Sequence, residues 1–198
     1  MLGWDNAKRM IAAWTEPGRR DPSSPPAILN GGFDERGCMC AAEGAIGLVG
    51  ECGPIAAWSV SDPARVGVQP LPSGLRNMGP AKVEAGTHFA FLRGAGSGIR
   101  QAVDGLTVGA RYILRFRFAA RDYADATSPS GQQITAIVRT QSGETVGATT
   151  CAGRRSAFAP ASVAFVAPEP CIVVEFRNTS APGETTVCVT GVELRERG

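Results

Sequence analysis

Few residues in this chain have the chemistry to react; more have the chemistry to bind. There is one histidine, His88, so a Ser-His-Asp or Cys-His relay would have to run through it. His88 sits in Gly86-Thr87-His88-Phe89-Ala90-Phe91-Leu92-Arg93-Gly94, a strand-like run with no nucleophile elbow, and reads as a histidine satisfied on a sheet face. Six cysteines stand at 38, 40, 52, 151, 171 and 188. Cys38-Met39-Cys40 and Cys52 gather three thiols, but a zinc site wants four close ligands in paired spacing. The cysteines form no compact disulfide framework, and a chain of 198 residues folds without one, so free thiols are expected. Gly94-Ala95-Gly96-Ser97-Gly98 lacks the following helix and lysine of a phosphate loop and reads as a hairpin loop. The acids lie mostly in loops, and no pair is singled out for glycoside hydrolysis. The expectation is a protein that is not an enzyme.

Binding chemistry is better represented. Arg115 and Arg117 share one face of the run Arg111–Arg121, and Arg139 and Glu175 join them if their strands are neighbours. Such a face can hold carboxylate or sulfate groups through paired donors; a plain solvated outer face is the alternative.

These residues must be positioned by strands. In the run Arg111–Arg121, Tyr112, Leu114, Phe116 and Phe118 alternate with Ile113, Arg115, Arg117 and Ala119. That is period two, with one face in a core. Shorter runs follow the same rule at Arg65–Val68, Gln133–Thr140, Thr145–Thr150, Ser162–Val166, Cys171–Arg177 and Thr185–Leu194. Ala27–Asp34 reads as the first strand and turn. Prolines between Ser61 and Val83 forbid a central strand and predict a long loop around Arg65–Val68. The fold class is all-β, an antiparallel jelly-roll β-sandwich spanning 28–198.

Residues 1–27 stand apart as an arm. Trp4, Ala7, Met10, Ile11 and Trp14 recur at helical spacing, which predicts a short amphipathic helix over 4–15, ended by Glu16-Pro17-Gly18 and followed by a Pro-rich linker. Either this helix packs on its own domain, or Trp4, Met10, Ile11 and Trp14 dock into a partner's groove. The net charge of +2 is too small to argue for nucleic acid. No apolar run reaches the ~20 residues that span a bilayer. The N-terminus shows no signal-peptide core, which predicts an intracellular protein, or a secreted one if the chain is a processed form.

Five pieces in order carry a family resemblance. They are Asn30-Gly31-Gly32-Phe33-Asp34, Trp58, Gly86 to Leu92, Gly98-Ile99-Arg100-Gln101, and Gly105-Leu106-Thr107-Val108-Gly109-Ala110-Arg111-Tyr112-Ile113-Leu114-Arg115-Phe116. Together they resemble galactose-binding-like β-sandwich modules, including many carbohydrate-binding modules. The resemblance implies a non-catalytic module that holds a glycan on a concave sheet face or at loop tips, with an aromatic platform and polar groups. Candidates in that role are Trp58, Tyr123, His88 and Arg121, though Trp58 reads equally as core. The family often carries a structural calcium. Asp34 keeps one of its acids in shortened form, while Cys188-Val189-Thr190-Gly191-Val192 stands where the others would be. No other cofactor is implied. The rival reading is a structural protein–protein interaction subunit of a larger intracellular assembly, anchored by its arm. Asn178-Thr179-Ser180 is a glycosylation sequon, meaningful only in a secreted chain.

Overall fold

Side chains that alternate every second residue can bury one face only by entering a sheet. The computed structural model describes residues 25–34, 47–69, 78–80, 88–122 and 131–198. They form β1 (Gly47–Leu48), β2 (Ser59–Val60), β3 (Val66–Gln69), β4 (Phe89–Arg93), β5 (Gly98–Asp104), β6 (Arg111–Ala120), β7 (Gln133–Thr140), β8 (Thr145–Ala152), β9 (Ala159–Val166), β10 (Cys171–Asn178) and β11 (Thr186–Glu196), with one turn of helix, α1 (Val49–Cys52). Every pairing is antiparallel. The strands make a six-stranded sheet, β1-β3-β4-β11-β6-β9, and a five-stranded sheet, β2-β5-β10-β7-β8. The expected β-sandwich is therefore present. The expected helix over 4–15, with Trp4, Met10, Ile11 and Trp14, lies outside the described residues.

The core lies between the sheets. On β6, Tyr112, Leu114, Phe116 and Phe118 are buried, as the alternation predicts. Phe116 meets Phe176 of β10 edge-on across the interface, with ring centroids 5.0 Å apart. Each such side chain contributes about 1.5–3 kcal/mol on burial. Strand β4 departs from simple alternation, because Phe89, Ala90, Phe91 and Leu92 are all buried. Ala90 and Leu92 enter the main core, while Phe89 and Phe91 belong to a second cluster with Met78, Ala119, Phe158 and Cys188.

Two expectations need correction. Residues Ala27–Asp34 form no strand; residues 29–32 are a turn, with Asn30 at φ 47° and Phe33 at φ 59°. A phenylalanine is uncommon in that left-handed region. Phe33 is held there by complete burial and by its ring contact with Trp58 at 5.5 Å. The Gly94–Gly98 segment is no hairpin loop either. It carries the chain from β4 in one sheet to β5 in the other. Its backbone is fastened accordingly: Gly94 N–H donates to Thr185 O at 2.6 Å, and Gly96 N–H to Asn178 O at 2.8 Å.

Buried amide side chains complete the fastening. Gln101 accepts from Leu29 N–H at 2.8 Å and donates to Leu29 O and Ala57 O at 2.9 and 3.1 Å. Asn178 Nδ2 donates to Leu92 O at 3.0 Å, joining β10 to the opposite sheet. This amide is buried and engaged, so the sequon at 178–180 is not an acceptor in the folded chain. Gly31 lies so close to β11 that an added Cβ would come within 2.0 Å of Val192 O, while Gly31 O accepts from Val192 N–H at 3.0 Å.

Two substitutions test this account by thermal or denaturant unfolding. Gly31→Ala is expected to cost about 1–3 kcal/mol through overpacking against Val192. Gln101→Leu is expected to cost about 1–3 kcal/mol, because three backbone groups lose their partner.

Candidate functional site

On β5, β10 and β7 the inward residues are Ile99, Gln101 and Val103; Ile172, Val174 and Phe176; and Ile134, Ala136 and Val138. Period two therefore turns Arg100, Glu175, Arg177, Thr135 and Arg139 outward on the five-stranded sheet. Register brings them together. Glu175 lies opposite Arg100 on β5, Arg177 opposite Thr135 on β7, and Thr135 opposite Thr150 on β8.

Glu175 is the centre of this face. Arg139 Nε donates to its Oε2 at 3.1 Å, and Arg177 donates to its Oε1 through Nε at 3.0 Å and Nη2 at 2.5 Å. Arg139 Nη1 also donates to Thr145 Oγ1 at 2.9 Å and to Gly143 O at 3.3 Å. The Glu175 side chain is only 13% exposed, whereas Arg177 is 46% exposed. The carboxylate thus orients two guanidiniums and leaves one of them open to solvent. Beside it lies a cavity of ≈ 230 Å³, lined by Ser59, Ser61, Gly98, Arg100, Glu175 and Arg177 among others. Its floor is held by Gly98, whose N–H donates to Ser61 Oγ at 2.8 Å and whose carbonyl accepts from Ser61 N–H at 2.9 Å. An added Cβ on Gly98 would come within 2.7 Å of Phe176 O.

The residues singled out from sequence are distributed differently. Arg115 and Arg117 face outward, but on the six-stranded sheet, so Arg139 and Glu175 do not join them. Arg115 lies opposite Glu193 and Ser162, and Arg117 opposite Thr190 and Pro160. Trp58 is core: it is 5% exposed, packs at a tilt against Phe33 and Phe176, and donates its indole N–H to Asn30 O at 3.1 Å. His88 precedes β4 rather than lying inside a strand, is half-buried, and its carbonyl accepts from Thr190 Oγ1 at 2.6 Å. Arg121 follows β6, where its carbonyl accepts from buried Gln132 at 3.2 Å. Tyr123 lies outside the described residues. Asp34 is exposed, and among the described residues no three His, Cys, Asp or Glu side chains gather as a metal site.

Arg100, Arg177, Ser59 and Ser61 were missed. Their only signal is the alternation in Ile99-Arg100-Gln101 and Glu175-Phe176-Arg177, which gives a face but not the neighbouring strand. Every Phe, Tyr and Trp ring among the described residues is buried, and the candidate platform residue Tyr123 lies outside them.

Cys52, Cys151, Cys171 and Cys188 carry free thiols, while Cys38 and Cys40 lie outside the described residues. Burial, then the neighbouring Asp104, pushes the Cys171 thiol up to about 11. Burial also raises Cys151 and, more strongly, Cys188, whose Sγ donates to Met78 O at 3.1 Å. Cys151, Cys171 and Cys188 therefore hold their protons at neutral pH.

No protein-family model matches the chain, and no curated protein matches it in sequence. Solved structures share its fold. The carbohydrate-binding module TmCBM61, solved with β-1,4-galactotriose, aligns with a TM-score of 0.56 at 14% identity, over 88% of this chain and 100% of that one. A CBM4 module aligns with a TM-score of 0.50 at 18% identity, over 86% and 99%. A protein of Bacteroides thetaiotaomicron VPI-5482, put forward as sugar binding, aligns with a TM-score of 0.51 at 8% identity, over 86% and 99%. The chain thus has the β-sandwich fold of carbohydrate-binding modules.

Alkylation tests the reading of the thiols. Labelling of Cys171 by iodoacetamide should be slow near neutrality and accelerate with pH towards about 11. The folded form keeps this proton after the unfolded chain, with the ordinary value of 9.0, has lost it. The stability this thiol supplies is therefore whole below pH 9 and is lost as pH rises towards about 11. Fast labelling of the native protein at pH 7 would contradict the assignment.

Proposed function

We propose that this β-sandwich is a non-catalytic carbohydrate-binding module whose ligand lies across the outer face of the five-stranded sheet. The observation that carries the reading is the ≈ 230 Å³ cavity, where Ser59, Ser61, Arg100, Glu175 and Arg177 converge from three strands and a loop. A saccharide presents rows of hydroxyls that both donate and accept. Guanidinium N–H groups, serine hydroxyls and carboxylate oxygens answer those needs at fixed spacing. The hydroxyl row continues beyond the cavity: Thr135 Oγ1 lies 2.9 Å from Thr150 Oγ1 and 2.8 Å from Thr179 Oγ1. A binding track thus crosses the strands from Ser59 to Thr150.

The same chemistry argues against hydrolysis at this place. Glycoside cleavage uses two carboxyl groups across the scissile bond. Here one carboxylate lines the cavity, and two guanidiniums bond to it. The shared fold with carbohydrate-binding modules supports the reading as analogy. The alternative, attachment to a protein assembly through Trp4, Met10, Ile11 and Trp14, rests on residues outside the described ones.

A glycan array followed by titration calorimetry tests the proposal. The protein is expected to retain at least one saccharide class, and Ser59→Trp, which fills the cavity from the edge strand, is expected to abolish retention. Arg115→Ala, on the other sheet, is expected to leave it unchanged. An array blank for every saccharide, with a folded protein, would overturn the reading.

A further inference from the structure

We infer that the outer face of the six-stranded sheet, across β9, β6 and β11, docks an acidic protein partner. The partner presents an extended segment with carboxylates four residues apart and an aliphatic residue midway. This face belongs to the sheet that does not line the saccharide cavity, so the inference goes beyond the binding reading and is tested separately from it.

The first support is charge. Arg111, Ile113 and Arg115 point outward from β6, and Glu193 and Arg195 point outward from β11. Register sets Arg195 beside Ile113 and Glu193 beside Arg115. Glu193 is nonetheless taken by Arg195, whose Nε and Nη2 donate to its Oε2 at 3.1 and 2.8 Å. Glu196 is turned to the other side of the sheet, where it accepts from Tyr112 Oη at 3.3 Å. Arg111 and Arg115 are both exposed, and among the described residues no hydrogen bond or ion pair holds either guanidinium. Arg117, further along β6, has a partner and is left out of the balance. Three guanidiniums thus stand with one carboxylate, and two of the three are unengaged.

The second support is the apolar surface among these charges. Val166 of β9 lies opposite Arg111, and Ala164 opposite Ile113. Val166 is 52% exposed, and Val108, in the loop that enters β6, is 58% exposed. That loop is tied to the end of β9, where Gly109 N–H donates to Ala167 O at 2.8 Å. Two of the three large apolar side chains exposed among the described residues therefore sit at the end that carries the unengaged arginines. Aliphatic groups with arginine beside them are the composition of protein interfaces, where arginine is enriched and other charges are depleted. A sulfated glycan or a nucleic acid strand would answer the arginines and leave the aliphatic groups without a counterpart.

The third support is spacing. A strand rises about 3.3 Å per residue, so Arg111 and Arg115 stand about 13 Å apart with Ile113 midway. An extended partner segment has the same rise, and its alternate side chains point one way. Carboxylates at its first and fifth positions meet Arg111 and Arg115, while an aliphatic third residue meets Ile113 and Ala164. Strand β6 is paired on both sides, so its arginines are set on a fixed base and little backbone order is lost on docking.

A blocked peptide, Thr-Glu-Thr-Leu-Thr-Glu-Thr, is the probe. It would be titrated into the full chain and followed by shifts of the backbone amide signals in NMR, at low salt and at about 0.5 M NaCl, where screening acts over a few ångströms. The expected result is movement of the signals of β6, β9 and β11, weakened by salt. Arg111→Glu combined with Arg115→Glu is expected to weaken binding roughly tenfold, and Val166→Asp to weaken it as well. Should the double reversal lower the melting temperature, Arg111→Gln with Arg115→Gln takes its place. The same peptide with lysine for glutamate is expected not to bind. A folded double variant that binds the peptide as well as the parent would refute the placement. Equal binding of a peptide with its two glutamates adjacent would refute the spacing. An acidic peptide that moves no signal on this face, or a heparin hexasaccharide that binds there more tightly than the peptide, would overturn the inference and leave the saccharide reading of the other sheet untouched.

Discussion

The sandwich depends on buried side-chain amides that stand in for missing backbone partners. A loop crossing between two sheets carries N–H and C=O groups that no ladder can reach, and each one buried without a partner costs about 1–3 kcal/mol. Here Gln69, Gln101, Gln132 and Asn178 are buried, and each bonds to the backbone of a segment outside its own strand. Gln69 holds Met78, Gln132 holds both Arg121 and Thr186, and Asn178 holds Leu92 and Thr185. A single amide offers two donors and an acceptor, so one side chain can close two gaps.

The candidate site is a by-product of this fastening. Gly96 bonds to Asn178 O, and Ser97 O accepts from Asn178 N–H at 2.8 Å. The crossing loop is therefore drawn onto the end of β10, and Gly98 enters β5 against Arg177. That approach tolerates no side chain at Gly98. The cavity walls are thus parts of regular strands and of a loop tied at both ends. Arginines set on such walls need little reordering to meet a ligand.

How much of this was legible in the sequence follows from the range of each signal. Alternation is local, so the strands β6, β7 and β10 and their inward residues could be read directly, whereas β11, whose first five residues are all buried, could be read only as a strand. Strand order is not local. Arg115 and Arg139 both read as outward arginines, yet they stand on opposite sheets. Trp58 shows the same limit: nothing in its neighbours says whether an indole faces a sugar or Phe33. The Ala27–Asp34 segment reads as a strand and turn because Ile28, Leu29 and Phe33 are apolar and two glycines lie between them. Its real conformation is a turn, set by contacts with Val192 and Gln101, which are remote in sequence. The Arg100–Glu175–Arg177 cluster needs the β5–β10 register, and no spacing in the chain encodes that.

The outer strands have a further meaning for how molecules of this chain meet one another in solution. On one side the sandwich is bounded by β1 and β2, each two residues long. On the other, β8 and β9 lie against each other so closely that an added Cβ on Gly147 would come within 2.9 Å of Val163 Cγ1. Strand β9 also carries Pro160, which has no N–H to offer. Edges that are very short, crowded or proline-bearing are poor templates for strand addition. Among the described residues, a protein so rich in β-strand is thereby guarded against edge-to-edge polymerisation.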